Sequence, residues 1–301
     1  AWFSWFNTTQ KGPVPGSYRW KGRNALTNRE LNPKTLTSGL DDYPRASHPT
    51  DEERHVDLYS WMVIAASTMH RLGSLLGHDT LRYETTALYL SDNKLLDSLH
   101  WSSYSQTYAD YGLHTDAVVL RRPDIVPRSP NQNREMTRVT LKNPEYRLVD
   151  SSFGYVSLFP FLLKILDPTS SHLGVILEKI RKPELLWTDY GLRSLSTNSP
   201  LYMKRNTEHD PPYWRGQIWI NINYLVVRAL HFYSSQEGPH REVAAKIHKE
   251  LTKNLVDNIM RQYFKSGYLW EQYNDKTGEG SGCRPFNGWT ALIVSIMSEN
   301  Y

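Results

Sequence analysis

The chain has 301 residues, enough for one large domain or two small ones around a substantial buried core. Its 35 Lys and Arg against 31 Asp and Glu leave a net charge of +4, with the basic residues scattered, so a nucleic-acid partner that needs a clustered basic stripe is set aside. A single cysteine, Cys283, excludes an intrachain disulfide and a cysteine-rich metal centre.

Residues 1–50 are rich in Gly, Pro, Asn and Ser without sustained periodicity and predict long loops threaded with rings such as Tyr18 and Trp20. The opening Ala1-Trp2-Phe3-Ser4-Trp5-Phe6 lacks the basic region and cleavage site of a signal peptide. Asn7-Thr8-Thr9 is an N-glycosylation sequon, with meaning only in the secretory pathway. Val56, Tyr59, Met62, Val63, Ala66, Met69 and Leu72 recur at three and four, predicting an amphipathic helix from about Asp51 to Gly77, with Thr50 and Glu53 as its capping box. A second helix is predicted from Asp79 to Leu99, antiparallel to the first because the connection is so short.

Residues 101–150 read as polar and aromatic loop with a short strand at Ala117–Leu120. Further helices are predicted over 155–166, 171–181, 217–236, 239–264 and 287–299. No stretch is apolar for the eighteen residues of a membrane span, and no internal repeat appears. The fold class is therefore mainly α. Helices in pairs separated by elaborate loops suit an (α/α)6 toroid, and about seven predicted helices against the twelve of a full ring suit an incomplete portion of one.

Chemistry concentrates in two acidic stretches set among aromatic rings, about 230 residues apart. Ser38-Gly39-Leu40-Asp41-Asp42-Tyr43-Pro44-Arg45 puts adjacent carboxylates at a turn, where one can be buried and protonated while the other is ionised. Trp270-Glu271-Gln272-Tyr273 fences a glutamate with rings, which suits a base that takes a proton from water. Glycosidic cleavage needs such a pair of carboxyl groups on opposite sides of a sugar ring. The 10 Trp and 19 Tyr against 8 Phe favour rings that stack on a ligand and hydrogen-bond at their edge.

Two further clusters stand out. Glu53 and Asp57 share a helical face and could bind a cation, contact sugar hydroxyls or lock the helix to a neighbour; His55 points elsewhere, so metal is poorly supported. Tyr213-Trp214-Arg215 follows a rigid double proline and combines rings with a forked donor, a candidate sugar floor, whereas Trp219 suits packing. Nucleophilic serine, zinc and nucleotide motifs are missing from the sequence, and no cofactor is expected.

Tyr18-Arg19-Trp20-Lys21-Gly22-Arg23, Leu31 to Arg45, Glu53 to Trp61, Tyr190 to Ser196, Trp214-Arg215-Gly216 and Trp270-Glu271-Gln272-Tyr273 together resemble the eukaryotic processing α-glucosidases of glycoside hydrolase family 63, over essentially the whole chain. The resemblance implies an inverting exo-glucosidase of the endoplasmic reticulum lumen, with an (α/α)6 catalytic domain. Its expected partner is the glucosylated high-mannose N-glycan of nascent glycoproteins, from which it removes the terminal α-1,2-linked glucose. By motif, the general acid matches Asp41 and the general base Glu271. Trp20, Asp42, Arg45, Glu53, Asp57, Tyr213, Trp214, Arg215 and Trp270 are carried over as pocket residues, and Asn7 as a glycosylation site.

Tyr59-Ser60 stands where the family pattern expects Arg-Cys. Residues 1–301 thus read as the C-terminal portion of the catalytic domain, with an N-terminal β-rich domain and the first helices as its expected complement. A trehalase-like toroid hydrolase and a non-catalytic glycan-binding module are the rival readings.

Overall fold

The computed structural model describes residues 1–123 and 135–298, and among these helix dominates. The helices there are α1 (Trp2–Thr9), α2 (Val56–Leu75), α3 (Leu81–Leu90), α4 (Asn93–His100), α5 (Tyr155–Leu162), α6 (Ser171–Ile180), α7 (Ile220–Ser235), α8 (Arg241–Ser266) and α9 (Leu292–Ser298). Short antiparallel ribbons fill the intervals. They pair β1 (Trp101–Ser102) with β2 (Thr107–Tyr108), β3 (Tyr111–His114) with β6 (Glu145–Leu148), and β4 (Val118–Arg121) with β5 (Thr137–Thr140). Further on, β7 (Trp187–Thr188) pairs with β8 (Gly191–Leu192) and β9 (Gln272–Tyr273) with β10 (Gly280–Ser281).

The expected helices from 155 onward are present with ends shifted by a few residues, α8 running on to Ser266 where 264 was expected, and the strand near 117–120 is β4. Residues 101–150, expected as loop with that one strand, carry β1 to β6 among the described residues, and three helical features differ as well. Helix α1 lies where a loop was predicted. The expected 79–99 helix is two, because Asp92 breaks it and accepts the Lys94 N–H at 2.9 Å as the N-cap of α4.

Helix α2 starts at Val56 rather than at Asp51, so Thr50 and Glu53 form no capping box. Asp110, 54 residues away, supplies the cap instead: its Oδ1 accepts the Val56 N–H at 2.9 Å.

Packing runs from α3 to α2, α5, α7 and α8, with α6 and α9 against the last members. Helix α8 shows the physical cause: Ala244, Ile247, Leu251, Leu255 and Ile259 recur at three and four and are all buried. Each fully buried Ile or Leu of this stripe contributes roughly 1.5–3 kcal/mol. The stripe is met by Val226, Val227 and Leu230 of α7, which share one core with Leu158 and Phe161 of α5 and Val56 and Met62 of α2. Gly267, left-handed at φ +80°, ends α8 and turns the chain directly into the Trp270–Tyr273 stretch.

Candidate active site

Four loops meet over this helical core. A 3-10 turn at Leu36–Ser38 is closed by Gly39 in the left-handed conformation, at φ +74°. Ser38 Oγ donates to the Thr35 carbonyl at 2.7 Å and accepts the Leu40 N–H at 3.1 Å, while the Asp41 carbonyl accepts the Thr35 N–H at 2.8 Å. That small knot presents Asp41 and Asp42 in fixed and different settings.

Asp42 is buried, with Oδ2 accepting the Tyr213 N–H at 3.0 Å and Oδ1 the Trp214 N–H at 2.6 Å. Both oxygens therefore serve to hold the second loop. Asp41 is half-buried, and its carboxyl is raised from its ordinary value by burial first and by the neighbouring Asp42 charge second, with Lys34 opposing. Lys34 is itself tied to Asp210 at 2.7 Å.

The 213–219 loop is rigid for a visible reason. Trp214 and Trp219 stack at 3.9 Å between ring centroids, and Tyr213 meets Trp219 edge-on at 4.4 Å. Trp219 Nε1 donates to the Tyr213 carbonyl at 3.2 Å. Arg215, fully buried, spends its guanidinium on the carbonyls of Asp42 (2.6 Å) and Lys204 (3.2 Å) and on Asn206 Oδ1 (2.7 Å), and burial lowers its pKa to about 10. It braces the loop from behind.

Ile218 joins this loop to the Glu271 stretch through paired backbone bonds with Tyr273, at 2.8 and 3.0 Å. Glu271 Oε1 accepts the Tyr213 hydroxyl, and Oε2 accepts the Cys283 N–H at 2.9 Å. The Glu271 N–H donates to the Cys283 carbonyl at 3.1 Å, and its own carbonyl accepts Trp289 Nε1 at 2.8 Å. Gly282 is needed here, because its φ is +78° and a Cβ would collide with Glu271 Oε2.

Tyr213 joins Asp42 to Glu271. Its hydroxyl is raised above the usual tyrosine range by burial, by its bond to Glu271 and by the charges of Glu271 and Asp41. Trp270 lies beside them, with Arg284 4.8 Å over its ring and its indole Nε1 buried without a protein partner.

The remaining predicted residues form a separate, buried ionic cluster. Arg45 bonds both oxygens of Asp57, at 3.0 and 2.5 Å, and Asp110 Oδ2 at 2.8 Å. Glu53 pairs with Arg23, whose other nitrogen donates to the carbonyls of Pro33 (2.8 Å) and Ala46 (2.9 Å). Burial pushes the Glu53 carboxyl up to about 7 against the pull of Arg23. Trp20 is buried, its backbone N–H donating to His55 Nδ1 at 2.8 Å.

Asn7 lies in α1, where its side-chain oxygen accepts the Tyr18 hydroxyl at 2.6 Å. Among the described residues no group of three or more His, Cys, Asp or Glu is placed to hold a metal ion. Cavities of 540 Å³ beside Lys11 and Tyr89 and of 520 Å³ beside Arg181 and His240 include neither Asp41 nor Glu271; the hydrogen bonds that tie the Asp42 turn and Glu271 to the 213–214 loop, not cavity size, mark this candidate site.

The family model of the glycosyl hydrolase family 63 C-terminal domain matches residues 1–299. The chain belongs to that family. It is 49% identical to mannosyl-oligosaccharide glucosidase GCS1 of Arabidopsis thaliana, covering 100% of this chain and 36% of that protein. It is 32% identical to the Saccharomyces cerevisiae mannosyl-oligosaccharide glucosidase, covering 93% of this chain and 30% of that protein. The chain thus spans about a third of the length of these curated relatives.

Among solved structures, a family 63 mannosylglycerate hydrolase from Thermus thermophilus in complex with glucose aligns with a TM-score of 0.55 at 17% identity, over 83% of this chain and 49% of that one. This likeness concerns the fold. The two acidic stretches of this family 63 chain lie on loops beside its helices. Sequence reading missed Arg23, Asp110 and Asn206, which hold those loops through contacts remote in the chain; only the buried charges of the 18–23 and 53–57 motifs hint at them.

Proposed function

We propose that this chain carries the catalytic part of an inverting, exo-acting α-glucosidase that removes the terminal α-1,2-linked glucose from the triglucosylated N-glycan precursor. One observation supports the reading: Asp42 holds the Tyr213 N–H while the Tyr213 hydroxyl bonds Glu271, so residue 213 ties the turn that bears Asp41 to the stretch that bears Glu271, about 230 residues on. The names of the relatives supply the substrate class.

Asp41 is the general acid. Burial and the Asp42 charge favour its protonated form, which hands a proton to the glycosidic oxygen as the C1–O bond breaks. Glu271 is the general base, removing a proton from the water whose oxygen bonds C1 from the opposite face. The proton count closes: the glycan leaves as an alcohol, glucose leaves as the β anomer, and each carboxyl exchanges its state with solvent. Inversion calls for about 6.5–9.5 Å between the two carboxyl groups, room for that one water.

The same reading takes the packed helices as part of an (α/α)6 toroid and the rest of a longer polypeptide as its complement, in the endoplasmic reticulum lumen. The short length of the chain relative to its relatives supports a complement.

The test uses the full-length enzyme with triglucosylated glycan, following released glucose by proton NMR. The β anomer should appear first, and Glu271→Gln should lower kcat by about 10²–10⁴-fold with folding intact. Release of the α anomer, or near-normal turnover by Glu271→Gln, would sink the assignment.

A further inference from the structure

We propose that Tyr213 is a positioning residue for the general base, fixing the Glu271 carboxylate through its hydroxyl instead of serving as a flat platform beneath the sugar. The inference rests on the reading of Glu271 as base.

Every other handle on Tyr213 is already engaged. Its N–H goes to Asp42 at 3.0 Å and its carbonyl receives Trp219 Nε1 at 3.2 Å. Its ring stands edge-on to both Trp214 (85°) and Trp219 (76°). A ring pinned in this way has one free direction for its hydroxyl, and that direction ends on Glu271 Oε1. The Cys283 N–H holds Oε2.

A carboxylate accepts about four hydrogen bonds, so the two lone-pair sites left after these donors remain for water. Burial and the two nearby carboxylates keep the phenol protonated, so it donates throughout the reaction. The same geometry gives Asp42 a role. By holding the amides of residues 213 and 214 it joins the loop of the acid to the tether of the base, which sets their separation.

The experiment compares Tyr213→Phe, Glu271→Gln and the double variant in the full-length enzyme. Tyr213→Phe keeps the ring and its packing while removing the donor, and its melting temperature should match wild type. A base misplaced by a fraction of an ångström should lower kcat by about tenfold to a hundredfold and leave KM within about threefold. In the Glu271→Gln background the same change should cost nothing more, because Tyr213 acts through Glu271.

A raised KM with kcat retained would make Tyr213 a sugar contact and overturn the proposal. A loss that multiplies in the double variant would overturn it too. If instead Glu271→Gln stays active, the base assignment itself falls, an outcome separate from an inactive Glu271→Gln beside an unaffected Tyr213→Phe, which overturns the positioning role alone.

Discussion

Asp41 and Asp42 are neighbours in different settings, and the difference lies in what each carboxyl touches. Asp42 has one backbone N–H on each oxygen, whereas Asp41 is left partly desolvated next to a like charge. A carboxyl raised on folding keeps its proton to higher pH in the folded state than in the unfolded one. Its contribution to stability is therefore present below the unfolded pKa, near 3.9, and falls away as pH rises through the folded value. Asp41→Asn should then melt about 1–2 °C above wild type at pH 7, a small gain because the group is partly exposed to screening solvent. The difference should vanish near pH 3, where both states are protonated, while activity is lost at every pH. Scanning calorimetry at the two pH values decides it, and a lower melting point for Asp41→Asn at pH 7 would contradict the desolvation account. The sequence marks this pair as special but cannot divide its labour, because the amides that occupy Asp42 lie 171 and 172 residues away.

At the scale of elements, the start of α2 is a joint between helix, loop and ion cluster. Asp110 accepts the Val56 N–H with one oxygen and the Arg45 guanidinium with the other, and Arg45 stands just after the acid-bearing turn. Local sequence suggests a capping box because Thr50 and Glu53 have the right spacing. Tertiary contacts override it, since Glu53 turns inward to Arg23 and the cap arrives from a region that shows no periodicity. Asp110→Ala should cost about 3–5 kcal/mol, because it leaves a buried guanidinium undercompensated and an amide unpaired. Asp110→Asn keeps an acceptor for Val56 and should cost less. Urea unfolding of both variants measures the order, and a loss under about 1 kcal/mol for Asp110→Ala would show that the cluster does not hold this joint. Arg45, Glu53 and Asp57, expected to line a pocket, are buried in this geometry and spend their charges on one another, on Asp110 and on Arg23.

For the whole molecule, helical periodicity exposes most of the core, because a stripe repeating at three and four has one packing solution. A second set of apolar side chains lies outside that solution. Leu72, Leu75 and Leu76 end α2, Leu81 and Leu88 lie on α3, and Phe264, Val294 and Met297 lie on α8 and α9, all with at least half of their surface open. Leu72 belongs to the apolar stripe that spacing predicts for the first helix, yet half of it stays uncovered by the described residues. Apolar surface of this extent asks for a cover, and the relatives are about three times as long as this chain. The 301 residues produced alone should therefore self-associate, and Leu75→Glu with Phe264→Glu should reduce that association without lowering the melting temperature, since neither side chain is in the core. Sedimentation velocity across a concentration series reads the outcome. A monodisperse monomer before any substitution would mean that these faces tolerate water and need no partner.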